Sequence, residues 1–332
     1  MTQKIPVVAV TGPTAAGKTA FGIGLARKFG GEIVSCDSMQ VYRGLPIGTA
    51  QPTGEELEQA PHHLISFLDW DAQFSVSDYV ELAGKTVSEI YKRGNLPILV
   101  GGTGLYARSL LRGFSFQENV RDEELRRELF RQAETEGIDD LYRELQLLDP
   151  VSAEQIHPNN VKRVIRAVEY CRLAGEPFSE QARRSQTAES PYRSLMLCVS
   201  FRDREKLYAR IDRRVDNMLE QGLLEEAETF YRFCKENGTP ATAAQAIGYK
   251  ELFPYFEGQV SLEEAVENIK RESRRYAKRQ ITWFRREQDV IFLYQDEWKD
   301  PGELLQEGCR LVGNFLENKE LHEIQEKEGK RE

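Results

Sequence analysis

The chain of 332 residues has few cysteines and no long apolar run. Its five cysteines are scattered, and none forms a C-x-x-C pair, so neither a disulfide framework nor a zinc site is expected. No stretch is long and apolar enough to span a bilayer. The short apolar run near the start leads into a glycine-rich turn rather than a cleavage site. We therefore expect a cytoplasmic protein without a membrane partner.

The chain also lacks a positive overall charge. Its 45 Lys and Arg residues against 54 Asp and Glu residues give a net charge of −9. That balance argues against a wholly basic nucleic-acid binder but leaves room for a local basic surface. The one histidine pair, His62–His63, has no third ligand at useful spacing, so we expect it to be structural. The hydrophobic content of 40% predicts a packed core.

A phosphate-binding motif is the strongest signal present. G-x-x-x-x-G-K-T spans Gly12–Thr19, after the apolar run Val7–Val10 and before a helical pattern. Strand, glycine-rich turn and helix N-terminus are the context that a phosphate-binding loop (P-loop) requires. The N–H groups of such a loop point inward at the phosphate. We expect Lys18 to reach the terminal phosphates and the Thr19 hydroxyl to hold Mg²⁺.

Two further apolar runs each lead into a turn. The run Glu32–Cys36 ends at Asp37, and Ile98–Val100 ends in the G-G-T-G turn, Gly101–Gly104. Alternation of strands and helices predicts a parallel sheet, and ligands bind outside the carboxyl ends of its strands. The P-loop, Asp37 and the G-G-T-G turn should therefore line one crevice.

The fold prediction is an α/β P-loop parallel sheet flanked by helices, with an inserted all-helical domain. Residues 121–185 show helical periodicity only, whereas apolar runs at 194–200 and 289–294 resume the β pattern. The predicted boundaries are 1–113 for the first part of the P-loop core, 114–190 for the helical insertion, 191–317 for the second part with a basic helix, and 318–332 for a charged tail.

Asp37 is the main candidate for acid–base chemistry. A carboxylate after a strand can bind Mg²⁺, act as a general base or cap a turn. The strand that ends at Val100 lacks the acid that holds Mg²⁺ in P-loop NTPases. A pocket that binds a di- or triphosphate and transfers a group therefore fits better than NTP hydrolysis. Thr103 could stabilise charge on a leaving phosphate.

Three basic segments stand out in this acidic chain. One follows Asn159–Asn160, a second follows the run at 194–200, and a third lies at 270–286, where Glu272 is the one acid. A single basic helix is commonly a solvated face. Three of them indicate a polyanion, RNA or DNA. The third segment belongs to a helix that begins with a capping box at Ser261, with Ile269, Tyr276 and Trp283 as a predicted buried seam.

Together these motifs resemble the bacterial-type tRNA dimethylallyltransferase (tRNA isopentenyltransferase) family, over about residues 5–290. The matching stretches are G-P-T-A-A-G-K-T at 12–19, D-S-M-Q-V-Y at 37–42, G-T-A at 48–50, P-H-H-L at 61–64, G-G-T-G-L-Y at 101–106, N-N-V-K-R-V-I-R-A at 159–167, A-I-G-Y-K-E at 246–251 and R-Q-I-T-W-F-R at 279–285. The resemblance implies transfer of a dimethylallyl group from dimethylallyl diphosphate to the exocyclic amine of the adenosine just 3′ of the tRNA anticodon, with Mg²⁺ as cofactor.

The resemblance also implies residue roles. The catalytic residues would be Asp37, Thr103 and Lys18. The diphosphate site would comprise Gly12, Pro13, Thr14, Ala15, Ala16, Gly17, Lys18, Thr19 and Arg214, with Thr19 as the Mg²⁺ ligand. The tRNA site would comprise Asp37, Ser38, Met39, Gln40, Thr103, Asn159, Asn160, Val161, Lys162, Arg163, Arg166, Lys278, Arg279, Trp283 and Arg285. The helical insertion would grip the anticodon stem-loop, and the protein would act as a monomer.

Two other functions remain open from the sequence. A small-molecule or nucleotide kinase with a similar ATP-binding core would phosphorylate its substrate from ATP. An RNA-binding protein with an ATP-regulated loop would bind RNA without forming a product.

Overall fold

The computed structural model describes residues 4–114, 122–187, 189–238 and 242–318. Of the charged tail expected from residue 318 onward, residues 319–332 lie outside the described residues. Within the described ranges, no helix combines the length and the apolar composition that crossing a membrane requires.

A single sheet organises the larger part of the chain. Among the described residues its six strands are β1 (Ile5–Thr11), β2 (Gly31–Ser35), β3 (His62–His63), β4 (Leu96–Val100), β5 (Tyr192–Ser200) and β6 (Val290–Tyr294). Their order is β3-β2-β4-β1-β5-β6, and every neighbouring pair is parallel. The predicted α/β fold with a parallel sheet is confirmed.

Helices flank the sheet and continue through the rest of the chain. In the first part of the core they are α1 (Lys18–Phe29), α2 (Gly54–Gln59), α3 (Val76–Lys92) and α4 (Gly104–Leu111). In the middle of the chain they are α5 (Glu123–Thr135), α6 (Asp139–Leu148), α7 (Pro150–Gln155), α8 (Val161–Ala174) and α9 (Phe178–Thr187). In the second part of the core they are α10 (Arg204–Glu220), α11 (Leu223–Asn237), α12 (Phe253–Phe256), α13 (Leu262–Phe284) and α14 (Pro301–Leu316), with short 3₁₀ turns at Ala243–Gln245 and Gln295–Glu297.

Strand β1 is buried on both of its faces. Successive side chains of a strand point to opposite sides of the sheet. Val8 and Val10 accordingly pack in an apolar cluster that includes residues of α1 and α14, whereas Val7 and Ala9 pack with residues of α3 and α4. This double burial explains why the run before the P-loop is continuously apolar rather than alternating.

The chain divides into two compact units. One contains the chain up to Leu111 and from Tyr192 onward, and the other is Arg112–Pro191. The described residues of the second unit are helical, with no strand, and have their own apolar core around Leu141 and Val164.

A buried carboxylate helps to hold the second unit together. Glu169 is fully buried and accepts hydrogen bonds from Arg126 at 2.7 Å and Arg166 at 3.2 Å. A carboxylate out of water needs such charged partners. Arg166, which the sequence assigned to tRNA contact, therefore also has a structural partner.

The capping interactions differ among the N-termini of α13, α3 and α8. The capping box of α13 is confirmed, because the side chain of Ser261 accepts from Glu264 N and Glu264 bonds back. Ser75 is the N-cap of α3, and Asp78 is its capping-box partner. Asn160 occupies the N-cap of α8 but makes no side-chain capping bond there.

Candidate active site

A cavity of about 400 Å³ lies beside the turns that follow β1, β2 and β4. Because parallel strands present their carboxyl ends at one edge, these turns converge even though they are distant in sequence. Helices α10 and α13 contribute the rest of the wall through residues such as Arg214 and Tyr276. Of the residues assigned from sequence, those that line this cavity are Thr14, Lys18, Thr19, Asp37, Ser38, Met39, Gln40, Arg214 and Arg279.

The P-loop is wound around a concave turn. Gly12 and Gly17 adopt positive φ angles of 137° and 81°, and Ala15 also has a positive φ, of 60°. A β-carbon makes such angles unfavourable, so the glycines are needed where the loop turns most sharply. Helix α1 starts directly after the loop, at Lys18. The Lys18 ammonium donates to the Pro13 carbonyl at 2.8 Å.

Lys18, Arg214 and Asp37 act on one another electrostatically within the cavity. The pKa of Lys18 is lowered from 10.5 to about 8; burial is the main cause, the nearby Arg214 also lowers it, and Asp37 acts in the opposite direction. Burial likewise lowers the pKa of Arg214, and Asp37 again opposes the shift. Both cations are therefore under-solvated and repel each other; Asp37 offsets both of them, and Glu56 acts on Arg214 as well. A bound anion would relieve this imbalance.

Asp37 has a structural contact as well as a place in the cavity. Its Oδ1 accepts from Met39 N at 2.9 Å, the turn interaction that aspartate favours. The same carboxylate acts on the pKa of both Lys18 and Arg214, so it belongs to the same electrostatic group. Turn formation and cavity chemistry are thus compatible for this residue.

Thr103 is held beside the cavity rather than in its wall. Its Oγ1 accepts from Ser38 N at 3.1 Å, which ties the G-G-T-G turn to the turn after β2.

Tyr276, expected in a buried seam, instead lines the cavity. Burial is the main cause that raises the pKa of Tyr276, and Asp37 raises it further, so the phenol keeps its proton. Tyr276 is therefore an additional hydrogen-bond donor here.

The remaining wall is partly apolar. Ile65, Val215, Met218 and Ile269 lie on it, next to the polar groups described above. Such a combination of apolar wall and few polar groups is typical of small-molecule pockets. The apolar part suits a hydrocarbon group, and the cationic part suits phosphate.

Two residues of the cavity wall also make polar contacts with the protein. The Gln40 amide donates to Ala50 O at 2.8 Å and contacts Ser35 Oγ, so it holds the G-T-A turn. His62 lines the cavity with its Nδ1 on Ala60 O at 2.8 Å, and burial lowers its pKa, which favours the neutral ring. Its neighbour His63 pairs with Glu32 at 2.6 Å, as a structural role requires.

The cationic side chains of the basic helix α13 fall into two groups: some are paired within the fold, and others are exposed. Lys270 pairs with Asp216 at 2.7 Å, and Arg274 pairs with Asp212, so these two are used within the fold. The structure corrects the assumption that the whole segment forms one anion-binding surface. Exposed cations remain toward the end of the helix and just beyond it: Lys278, Arg279, Arg285 and Arg286.

Trp283 is packed rather than projecting. A β-carbon on Gly104 would come within 2.2 Å of its ring, so the last glycine of G-G-T-G leaves room for this indole. The Arg108 guanidinium lies over the ring at 4.6 Å.

In the insertion, the residues assigned to tRNA contact that are exposed are Asn159, Asn160, Lys162 and Arg163, and Val161 is partly buried.

Sequence reasoning missed three side chains that hold the P-loop. Gln280 accepts from Thr14 N, Arg210 donates to Ala15 O at 3.0 Å, and Gln295 donates to Ala16 O. One signal existed for the first of these. An uncharged polar residue at 280 shares the buried face of α13 with Ala277, Ile281 and Phe284, and buried polar groups need partners.

The family comparison places most of the chain in one known group. The family model described as IPP transferase matches residues 40–287. A tRNA dimethylallyltransferase of Lachnoclostridium phytofermentans is 45% identical over 309 residues, 92% of this chain and 97% of that protein. A tRNA dimethylallyltransferase of Bacillus subtilis is 47% identical over 289 residues, 87% of this chain and 90% of that protein.

Solved structures agree with the sequence relatives. A tRNA isopentenylpyrophosphate transferase from Bacillus halodurans has a TM-score of 0.70 at 43% identity, covering 95% of this chain and 98% of that one. A eukaryotic dimethylallyltransferase acting on tRNA has a TM-score of 0.82 at 30% identity, covering 95% of this chain and 80% of that one.

The buried ammonium of Lys18 predicts a stability cost that depends on pH. The unfolded chain binds this proton up to about pH 10.5, whereas the folded chain loses it near pH 8. The destabilisation is therefore complete below pH 8 and disappears as the pH rises toward 10.5. We expect Lys18→Met to raise the free energy of unfolding at pH 7 by about 1–3 kcal/mol. This range already allows for the stabilisation lost with the hydrogen bond to Pro13 O.

Urea unfolding at pH 7 and pH 10 measures this effect. The gain should shrink at the higher pH, and the exposed-site control Lys28→Met should change stability by less than about 0.5 kcal/mol at either pH. A Lys18→Met protein that is less stable than wild type at pH 7 would contradict the assigned burial cost.

Proposed function

The chain belongs to the IPP transferase family, and we propose that it transfers a dimethylallyl group from dimethylallyl diphosphate to the N6 amine of the adenosine 3′-adjacent to a tRNA anticodon. Diphosphate is released. The observation that carries this proposal is one cavity that joins Lys18 and Arg214, an apolar wall and the Asp37 carboxylate. The relatives named above favour this transfer over the kinase alternative.

In the proposed reaction, the cations act on the leaving group. The bond between the allylic carbon and the diphosphate oxygen breaks, and both of its electrons leave with the oxygen. Lys18 and Arg214 meet that charge, with N–H groups of the P-loop, in a site that is already arranged for an anion. Because the free enzyme keeps these cations under-solvated, the developing charge is stabilised without reorganising solvent.

Asp37 acts on the adenine amine that attacks the allylic carbon. The adenine amine attacks the allylic carbon and must lose a proton as the N–C bond is made. The Asp37 carboxylate accepts that proton, and its turn bond to Met39 N keeps the carboxylate oriented. Thr103, through its bond to Ser38, keeps the neighbouring turn in place.

Mg²⁺ fits the residues present. The Thr19 hydroxyl and the Asp37 carboxylate line the same cavity, and the described residues contain no group of three His, Cys, Asp or Glu side chains that could hold a metal ion by themselves. Mg²⁺ sites commonly use one or two protein oxygens, with substrate phosphate oxygens and water completing the shell. When bound, Mg²⁺ would neutralise charge on the diphosphate, and Thr19 would hold it.

The tRNA side of the proposal rests on two separate surfaces. The target base must leave its stack to reach a cavity, and bases of RNA loops can do so. On the core, Lys278, Arg279 and Arg285 are exposed, and on the insertion Lys162 and Arg163 are exposed. We assign these cations to phosphate contacts that position the anticodon stem-loop. The protein would act as a monomer in the cytoplasm.

A transfer assay tests the reaction. The protein is incubated with Mg²⁺, an unmodified anticodon stem-loop and dimethylallyl diphosphate labelled in the allyl group. A parallel reaction contains ATP labelled in its terminal phosphate. We expect the allyl label in RNA and no phosphate label. Phosphate transfer without allyl transfer would establish the kinase, and RNA binding without either product would contradict both enzymes.

Asp37→Asn tests the base. Because the amide cannot accept the proton, we expect kcat to fall by about 10²–10⁴ while RNA affinity stays within about twofold. Asp71→Asn, at an exposed position, is the matched control and should keep wild-type turnover. Full activity of Asp37→Asn would remove this residue as the proton acceptor.

The exposed cations of α13 predict a salt-dependent contact with RNA. Lys278→Glu with Arg279→Glu should weaken RNA binding and reduce the slope of log affinity against log salt by roughly one to two. The charge-matched control, Lys28→Glu with Lys92→Glu, changes exposed lysines on other helices and should keep the slope. Equal slopes for all three proteins would place the RNA elsewhere.

A further inference from the structure

The side chain of Gln280 links two turns. One turn lies at the proposed diphosphate site, and the other is connected to the turn that carries Asp37. Its side chain leaves α13 on the buried face, and the residue is 6% exposed. The amide oxygen accepts from Thr14 N at 2.9 Å, and the amide nitrogen donates to Gly102 O at 3.0 Å. The oxygen and nitrogen are assigned by these partners, since one is an N–H group and the other a carbonyl.

The two partners follow neighbouring strands. Thr14 lies in the P-loop after β1, and Gly102 lies in the G-G-T-G turn after β4, which pairs with β1. At the ends of these strands the backbone pairing stops, and one amide spans the two turns. Arg210 and Gln295 also hold the P-loop, but it is Gln280 that reaches the G-G-T-G turn as well.

The second glycine of G-G-T-G follows from this contact. A β-carbon on Gly102 would lie 2.2 Å from Gln280 Nε2, closer than any real contact. Gly102 and Gln280 are therefore complementary: the missing side chain of one admits the amide of the other. Two motifs that lie far apart in the sequence thus fit together at the cavity.

The separation of the two turns bears directly on the chemistry. Thr14 lines the cavity at the phosphate end. Thr103, next to Gly102, accepts from Ser38 N and so links the G-G-T-G turn to Asp37's own turn. A change in the distance between Thr14 and Gly102 would therefore move the diphosphate site relative to the proton acceptor. Misplacement of about 1 Å is enough to cost about 10² in rate.

We propose that Gln280 is a positioning residue that sets the distance between the P-loop and the G-G-T-G turn, and through it the alignment of diphosphate and base. This rests on the proposed function. Gln280 lines the cavity, but Thr14 N and Gly102 O occupy both ends of its amide, so we assign it no substrate contact. It acts on diphosphate binding and on turnover, and it leaves RNA binding to the exposed residues of the same helix.

Two substitutions separate the two hydrogen bonds. Gln280→Met keeps the length of the side chain but removes both bonds. Gln280→Glu keeps the acceptor for Thr14 N and loses the donor to Gly102 O when ionised. We expect kcat to fall by about 10- to 100-fold in both. Affinity for Mg²⁺–pyrophosphate, measured by calorimetry, should fall several-fold, and RNA affinity should stay within about twofold.

The pH profile distinguishes positioning from simple packing. Burial at this position and the facing Gly102 carbonyl both raise the pKa of the carboxyl group introduced by Gln280→Glu above the ordinary value for glutamate. Once protonated, this group would again donate to Gly102 O, so the activity of the variant relative to wild type should rise as the pH is lowered from about 7 to about 5. Gln280→Met has no proton to gain, and its relative activity should stay flat. Equal pH profiles for the two variants would overturn the proposal.

A double-variant cycle that combines Gln280→Met with Gly102→Ala gives a second test. Gly102→Ala pushes the amide away from the turn, so it should reproduce the loss seen for Gln280→Met. The double variant should be no worse than the poorer single variant, because both break one contact. Additive losses would overturn the proposal, as would unchanged turnover or a parallel loss of RNA affinity in the single variants.

The control variants are Gln59→Met and Gln59→Glu at an exposed position of α2, which should keep wild-type values. Thermal unfolding of each variant confirms that it is folded. The pyrophosphate measurement needs no turnover, so it separates the two proposals. If wild type binds Mg²⁺–pyrophosphate and the Gln280 variants bind it less well, but no allyl transfer occurs, the transfer assignment fails and the positioning role stands.

Discussion

Two partly buried cations, Lys18 and Arg214, with the Asp37 carboxylate beside them are the constraint on which the rest of the structure depends. Burial lowers the pKa of Lys18 and of Arg214, and their repulsion adds to the shift in Lys18. The free protein is less stable because of this arrangement, and an anion removes the cost. A diphosphate bound there gains from charges that are already in place, and the same charges favour its departure from carbon.

The sheet order explains how such a chamber is built. The P-loop, Asp37 and the G-G-T-G turn follow β1, β2 and β4, and these strands are adjacent in the order β2-β4-β1. Helices from the second part of the core then close the chamber: α10 brings Arg214, and α13 brings Tyr276 and Gln280. The first part of the core thus supplies the turns, and the second part holds them and adds the second cation.

Short sequence patterns were sufficient to predict the three turns of the candidate site. A strand, a glycine-rich turn and a helix start identify the P-loop, since a few consecutive residues define its shape. Asp37 and the G-G-T-G turn were found because they follow apolar runs. The roles of Tyr276 and Gln280 were missed because they depend on how α13 packs across the sheet, and the bond from Gln280 to Gly102 spans 178 residues of chain. Lys270 and Arg274 could not be separated from the exposed cations, because their acidic partners lie on α10.

The titration of Lys18 tests the central claim most directly. With lysine labelled at its terminal carbon and Lys18→Met to assign the signal, NMR follows this ammonium alone as the pH is raised. The account predicts a midpoint near 8 in the free protein, and an upward shift of the midpoint once Mg²⁺–pyrophosphate saturates the cavity. A midpoint that lies near 10.5 in the free protein, or that stays unchanged when pyrophosphate is bound, would contradict it.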